Sequence, residues 1–384
     1  MRNKVLYCAT VDYHFKAFHL PSMKWFKEQG WKVDVAAAGE IDLPYTNTKY
    51  NIAIQRSPFH RSNMQAYEQL RQIINQNNYE IIHCHTPLGG VLARLAAREA
   101  RKKGTKVVYT AHGFHFCKGA PFVNWLIYYP IEKYLSRHTD HLITINREDF
   151  ELARKHRFKA DQIEWVHGVG VDTEKFKPAA PNEKAALKKS FGYAPDDFLL
   201  FYAGEFNKNK NQQFLIQVMA LVKDDLPHVK LLLAGEGALM EDCKKLAERL
   251  SINHMVEFLG FRKDIEKILP ICDAAVASSH REGLPVNVME AMATGLPVVA
   301  VNNRGHRELI HNNKTGWVLP NFDPQAFAQK ITTLAKREDV RSQFGLNGRK
   351  AIIENYSITK ILQETVHIYE DCMAGKEEEV WAAQ

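Results

Sequence analysis

No stretch of this sequence approaches the roughly 20 consecutive apolar residues that a membrane-crossing helix needs, so a spanning protein is excluded. Cysteine is sparse: six residues, at 8, 84, 117, 243, 272 and 372, lie far apart and form no Cys-x-x-Cys pair. That spacing excludes a disulfide-built secreted scaffold and a paired-thiol redox motif. No secretory leader pattern stands ahead of the strand-like Val5-Leu6-Tyr7-Cys8-Ala9-Thr10, and the expectation is a cytoplasmic protein with reduced thiols in its core. Glycine-rich phosphate fingerprints are missing as well. The first strand-like run leads into Val11-Asp12-Tyr13 and not into Gly-x-Gly-x-x-Gly, which argues against a dinucleotide-binding role. There is no internal repeat and no large charge surplus: 51 Lys and Arg against 44 Asp and Glu leave +7. Such a mild excess suits small anionic partners or an acidic membrane surface, and no nucleic-acid partner is expected.

What is present is an ordinary globular composition, 45% hydrophobic and 25% charged, over 384 residues. That length suggests roughly two to three domains. Short β-rich runs alternate with helical periodicity: Val5 to Thr10, Lys32 to Ala38, Ile52 to Gln55, Glu80 to His85, Val107 to His112, Leu142 to Asn146 and Glu164 to His167. The pattern restarts with Phe198 to Gly204, Val229 to Gly235, Val256 to Gly260, Ala274 to Ser278 and Val298 to Asn302. Alternation of this kind predicts α/β architecture, two Rossmann-like doubly wound parallel sheets facing each other across a cleft. The boundaries expected are 1–170 for the first domain, 171–181 for a turn-rich linker, and 182–356 for the second domain. Residues 357–384 are expected to form a C-terminal helix that crosses back to the first domain, with a frayed tail after Gly375.

Ligands of open α/β sheets bind beyond the carboxyl ends of the strands, which here carry Thr10, His83, His85, His112, Gly204, Glu205, Gly235, Ser278 and Asn302. The most informative segment follows Ser278: Ser279-His280-Arg281-Glu282-Gly283-Leu284-Pro285-Val286, continuing to Glu290-Ala291-Met292-Ala293-Thr294-Gly295. Pro285 suits a helix start and Gly295 a helix stop, so 283–286 form a helix entrance whose bare N–H groups suit a diphosphate or a sugar oxygen. Glu282 precedes that helix. Glu290 lies inside it among apolar residues, where an ionised carboxylate needs hydrogen-bond partners such as ribose hydroxyls.

Glu282-x7-Glu290, set within Glu-Gly-Leu-Pro and Glu-Ala-Met-Ala-x-Gly-x-Pro-Val-Val, resembles the signature of retaining family 4 glycosyltransferases of GT-B architecture. The resemblance implies that Glu290 binds the ribose of a nucleotide sugar. It also implies that Glu282, with Gly283, Leu284, Pro285 (by shape only) and Val286, holds the sugar. Ala203-Gly204-Glu205-Phe206-Asn207-Lys208-Asn209-Lys210 matches the family's phosphate segment, with Lys210 in the lysine role and Glu205 where the arginine usually stands. Gly204, Glu205, Lys208, Gly235 and Phe261 complete the expected donor set. Tyr109-Thr110-Ala111-His112-Gly113 resembles the family's sugar-side histidine segment, so the expected catalytic residues are His112, Glu282 and Lys210.

In the first half Asp12, His14, His19 and His85 are expected acceptor contacts. A zinc site built from His83, His85, His112 and His115 is weighed and set aside for want of a completing ligand, and neither metal nor cofactor is expected. Ala120 to Tyr134, aromatic and flanked by Lys118, Lys133 and Arg137, reads as a core helix or as an interfacial segment that brings the chain to a membrane surface. The resemblance implies a retaining glycosyltransferase that moves a hexosyl group, an N-acetylhexosamine, from a UDP donor to a lipid-linked or glycan acceptor in exopolysaccharide or capsule synthesis. A GT-B-like nucleotide-sugar 2-epimerase and a catalytically decayed nucleotide-sugar-binding subunit are the alternatives.

Overall fold

The computed structural model describes residues 3–55, 57 and 60–382. It divides into two compact units, Met1–Gly170 together with Thr359–Gln384, and Val171–Ile358.

The first unit contains β1 (Lys4–Val11), α1 (Tyr13–Phe18), α2 (Leu20–Glu28), β2 (Lys32–Ala38), β3 (Thr48–Asn51), α3 (Ser62–Asn77), β4 (Ile81–His85), α4 (Pro87–Ala96) and α5 (Arg98–Lys102). It continues with β5 (Lys106–Ala111), α6 (Phe122–Leu135), β6 (His141–Thr144), α7 (Arg147–Lys155) and β7 (Gln162–Trp165). These strands make a seven-stranded sheet in the order β3-β2-β1-β4-β5-β6-β7, with every pair parallel. β1 is an interior strand between β2 and β4 and is covered on both sides. Leu6 and Cys8 join one core with Ile82, Cys84 and Tyr109, while Val5, Tyr7 and Ala9 join the other with Val33, Ile81 and Val108. Burial on both faces is why β1 and β4 read as continuous apolar runs and not as alternating ones.

The second unit holds α8 (Pro181–Ser190), β8 (Phe198–Ala203), α9 (Gln212–Val222), β9 (Val229–Ala234), α10 (Met240–Arg249), β10 (Val256–Gly260), α11 (Ile265–Ile268) and β11 (Ala274–Ala277). After these come α12 (Val286–Ala293), β12 (Val298–Val301), α13 (Arg304–Leu309), β13 (Gly316–Leu319), α14 (Pro324–Lys336) and α15 (Glu338–Asn355). Its six strands follow the order β10-β9-β8-β11-β12-β13, again all parallel. Strand order reverses beside β1 in the first sheet and beside β8 in the second, and ligands of such sheets sit at these switch points.

The final helix, α16 (Ile358–Ala382), packs on the first unit, where Ile361, Ile368, Tyr369 and Cys372 join the core around Tyr7. All six cysteines are buried, and none is in a disulfide.

Several expectations are corrected. The third strand lies at Thr48–Asn51 and not at 52–55. Ile52 and Ile54 alternate because both plug the core from the segment after the strand, while the edge strand itself is polar. β13 is a strand beyond the runs named from the sequence. The helix continues past Gly375 to Ala382 instead of ending there. The 120–134 segment is not a core helix: in α6 only Glu132 and Leu135 are buried, whereas Phe122 is 80% and Leu126 65% exposed. No helix among the described residues is long and apolar enough to cross a membrane.

Candidate active site

In the second unit the turn between β11 and α12 is built from several fixed points. Ser278 Oγ donates to the Lys210 carbonyl at 2.8 Å, and the Tyr202 hydroxyl lies 2.7 Å from Ser279 Oγ. Asn209 Nδ2 donates to the Arg281 carbonyl at 3.0 Å, and His280 N–H donates to the Asn209 carbonyl at 2.8 Å. The segment after β8 is thereby tied to the segment after β11. Asn287 Nδ2 donates to the Ala203 carbonyl at 2.7 Å, anchoring the first turn of α12 to the end of β8.

Pro285, expected in the first turn, is instead the N-cap of α12, one position before its first helical residue Val286, at φ −76° and ψ 115°. At the other end Gly295 N–H donates to the Met292 carbonyl at 2.9 Å and Leu296 N–H to Ala291 at 3.0 Å, the two bonds of a Schellman stop. Gly305, in the first turn of α13, lies flat against the turn. A Cβ there would stand 2.7 Å from Pro285 Cδ and 3.0 Å from the Gly283 carbonyl oxygen.

Within this frame Lys210 Nζ lies 2.5 Å from Glu282 Oε1, in a half-buried ion pair. Arg304 Nε donates to the Glu282 carbonyl at 3.0 Å, so a second cation reaches the turn. Among the described residues no protein acceptor meets the N–H groups of Gly283, Leu284 and Val286. Unpaired N–H groups at a helix start, with the positive end of its dipole, attract an anion.

Glu290 lies farther along α12. Burial pushes its carboxyl up to about 7, a rise opposed by Lys175 and reinforced by Glu266, and no donor among the described residues meets its oxygens.

At the neighbouring strand ends, Gly204 N–H donates to the Ala234 carbonyl at 2.9 Å and Gly235 N–H to Gly260 at 2.7 Å. Gly235 has φ +138°, and a Cβ there would come within 2.1 Å of the Gly204 carbonyl oxygen, so only glycine fits. Glu205 and Lys208 are exposed, with Glu205 Oε2 accepting from Asn207 Nδ2 at 3.1 Å. Phe261 presents a ring that is 59% exposed. The second cation at the turn, Arg304, comes from α13.

In the first unit the carboxyl ends of β1, β4 and β5 carry a different chemistry. His14 Nε2 lies 3.2 Å from His112 Nε2, His19 Nε2 lies 3.1 Å from His14 Nε2, and His112 Nε2 lies 3.3 Å from His85 Nδ1. Burial holds His14 down at about 4 and lowers His19, His85 and His112 well below the usual histidine range, so all four rings are neutral near pH 7.

His83 is not part of this group. Its Nδ1 meets the Tyr369 hydroxyl at 2.7 Å and its Nε2 meets Thr110 Oγ1 at 2.8 Å. His115 stacks on Tyr128, away from the four. The histidine set weighed from the sequence is therefore corrected: His14 and His19 converge with His85 and His112, and His83 and His115 do not. Asp12, expected to meet acceptor, is spent internally, its Oδ2 accepting from Lys49 Nζ at 2.6 Å and from Ile41 N–H at 2.7 Å.

Two sheets of this topology and a turn of this composition define a GT-B glycosyltransferase, and the chain belongs to the glycosyltransferases. The family model Glycosyl transferases group 1 matches residues 183–351, and Glycosyl transferase 4-like matches residues 4–146. EpsD of Bacillus subtilis strain 168, assigned by name to the glycosyltransferases, is 49% identical over 369 residues, covering 96% of this chain and 97% of EpsD. An Escherichia coli UDP-Gal:α-D-GlcNAc-diphosphoundecaprenol α-1,3-galactosyltransferase is 28% identical over 82% of this chain and 81% of its own length. Among solved structures, HepE of Anabaena in complex with UDP-glucose superposes with a TM-score of 0.78 at 19% identity, over 96% of this chain and 99% of that one. The sucrose-phosphate synthase of Thermosynechococcus elongatus gives a TM-score of 0.79 at 18% identity, over 97% of this chain and 99% of the other. The protein is accordingly an enzyme of hexosyl transfer.

Proposed function

We propose that this enzyme transfers an N-acetylhexosamine from a UDP donor to a lipid-linked or saccharide acceptor in extracellular polysaccharide synthesis, with retention at the anomeric carbon. The observation that carries the reading is the turn at 283–286. Its N–H groups, without protein acceptors among the described residues, stand beside the Lys210–Glu282 pair and Arg304, and Glu290, whose carboxyl meets no donor among them, follows in α12. In this reading Lys210 and Arg304 neutralise the diphosphate as the glycosidic bond breaks, which needs no metal at the donor site. Glu282 and the main-chain N–H groups hold the sugar, and Glu290 accepts from the ribose hydroxyls. His112, whose Nε2 faces the other histidines, has Nδ1 to offer a sugar hydroxyl. Phe261 gives the base a ring to stack on. With no side chain set out as a covalent nucleophile, attack comes on the face the leaving group vacates, and the departing phosphate takes the acceptor proton.

The E. coli relative, whose name specifies a UDP sugar and a diphosphoundecaprenol acceptor, supports the donor and acceptor classes. A Bacillus anthracis relative at 25% identity, named N-acetyl-α-D-glucosaminyl L-malate synthase, supports an N-acetylhexosaminyl donor. The exposed apolar face of α6, with Phe122, Leu126 and Ile127 outward, supports a peripheral contact with the membrane that carries such an acceptor.

The test is a calorimetric and thermal-shift comparison of UDP, UDP-N-acetylglucosamine, UDP-N-acetylgalactosamine and GDP-mannose, followed by transfer to an undecaprenyl-diphosphate sugar and NMR of the anomeric proton. Binding of a UDP-N-acetylhexosamine and an axial product linkage are expected. Formation of a 2-epimer without acceptor, or stabilisation by GDP-mannose alone, overturns the reading. In the same assay Glu290→Ala raises the donor Kd by roughly tenfold to a hundredfold, as the loss of one or two hydrogen bonds worth about 1.5–3 kcal/mol requires.

A further inference from the structure

The four histidines at the switch point of the first sheet have a geometry that hydrogen bonding among themselves does not explain. One ring nitrogen from each of His14, His19, His85 and His112 lies within 4.8 Å of those of the other three. Three of the separations are 3.1, 3.2 and 3.3 Å. In a neutral imidazole each nitrogen carries either one proton or one lone pair, directed outward in the ring plane. His14 Nε2 faces both His19 and His112, and His112 Nε2 faces both His14 and His85. At most two of the three contacts are therefore satisfied as ordinary hydrogen bonds. Neutral nitrogens packed this closely, with no carboxylate shared among them, are poorly accounted for by each other.

A single ion at the centre accounts for the spacing. Zinc–imidazole bonds of about 2.0–2.1 Å in a tetrahedron place neighbouring ligand nitrogens about 3.3–3.4 Å apart, close to the separations found. We propose that His14, His19, His85 and His112 form a tetrahedral site for a divalent transition-metal ion of the zinc class. Four imidazoles without carboxylate exclude calcium and magnesium, which take oxygen ligands. His19 and His85 are buried while His14 and His112 are half-buried, so the ion reaches the site from the side of the latter two.

The ligands come from three places in the fold: α1 and the residue joining it to α2, the last residue of β4, and the residue after β5. A bound ion staples the chain after β1 to the ends of two neighbouring strands. With four protein ligands the tetrahedron is closed and the role is structural. The site departs from the expectation that the chain holds no metal. It rests on the first unit's geometry alone, not on the choice of donor or acceptor. Ligation through His112 Nε2 leaves Nδ1 available to substrate.

The experiment uses the full chain without a histidine tag. It is stripped with a chelator and titrated with Zn²⁺ and with Co²⁺, with metal content, melting temperature and the visible spectrum followed. One zinc per chain, a raised melting temperature and the intense visible bands of tetrahedral Co²⁺ are expected. His14→Gln and His112→Gln weaken Zn²⁺ binding at least about tenfold, while His115→Gln, on an exposed ring outside the group, leaves it unchanged. His112→Cys retains the metal and adds a thiolate-to-cobalt charge-transfer band, a signature that a merely structural histidine would not produce. Wild-type protein that takes up no Zn²⁺ tightly, an octahedral Co²⁺ spectrum, or folded His14→Gln and His112→Gln variants with undiminished binding would overturn the proposal.

Discussion

Glu290 shows how one side chain links folding to ligand binding. Burial raises its folded-state pKa to about 7 from an ordinary value of 4.5. Between those values the folded chain holds a proton that the unfolded chain has released, so this group's contribution to stability falls as pH rises through that window. Glu290→Gln removes the slope. Its melting temperature is expected to gain on wild type from pH 5 to pH 8, measured in parallel thermal scans. Ribose hydroxyls favour the ionised carboxylate, so UDP binding at about pH 6.5 should release a proton in wild type and none in Glu290→Gln, read by calorimetry in two buffers of different ionisation heat. Lys210 acts later, on the leaving group: Lys210→Ala is expected to lower kcat by about 10²–10³-fold with a smaller change in KM, since its charge matters most as the bond breaks.

The acids at 282 and 290 were legible from the sequence because a helix start and stop bracket them. The histidine set was not, because His14 and His19 reach His85 and His112 across separations of 66 to 98 residues that no local pattern encodes.

Two elements carry the site's geometry, and both depend on close backbone approach. α12 is placed by Asn287 on the end of β8 and by Gly305 against the turn. The Ala203 carbonyl and Gly305 both lie outside a motif that spans only 278–295. The end of β9 needs Gly235. Gly235→Ala is expected to cost roughly 1–3 kcal/mol, seen as a lowered melting temperature, because the residue must hold a positive φ and would crowd the Gly204 carbonyl.

α6 is the element where composition misled. Its mean apolarity suits a core, yet Trp125, Tyr128 and Tyr129 pack inward while Phe122, Leu126 and Ile127 face out. Replacing Phe122 and Leu126 together by Ser should leave the melting temperature nearly unchanged. It should lower partitioning to anionic vesicles at least about tenfold, since each exposed side chain is worth about 1.5–3 kcal/mol when buried in the interface. Equal vesicle binding by the variant would remove the membrane contact from the reading.

At the scale of the molecule, α16 belongs to the first unit although it follows the second in the chain. Ile361, Ile368, Tyr369 and Cys372 are all buried there, and the Tyr369 hydroxyl meets both His83 and Tyr7. Each buried aliphatic lost costs about 2–5 kcal/mol, against a whole-domain stability of about 5–15 kcal/mol. A chain ending at Ile358 should therefore lose the cooperative calorimetric transition of the first unit and keep that of residues 171–358.

Alternating apolar runs and helical periodicity determined by themselves that this is a doubly wound α/β chain, because strands buried on both faces have no other composition open to them. The same local information placed the turn at 283–286, since caps and prolines act within a few residues. Only tertiary structure decided which groups meet: that Arg304 joins Lys210 at the turn, that α6 shows its apolar face outward, and that histidines from three strand ends converge. Those are distances between segments remote in sequence, fixed by sheet order and packing and by nothing that neighbouring residues specify.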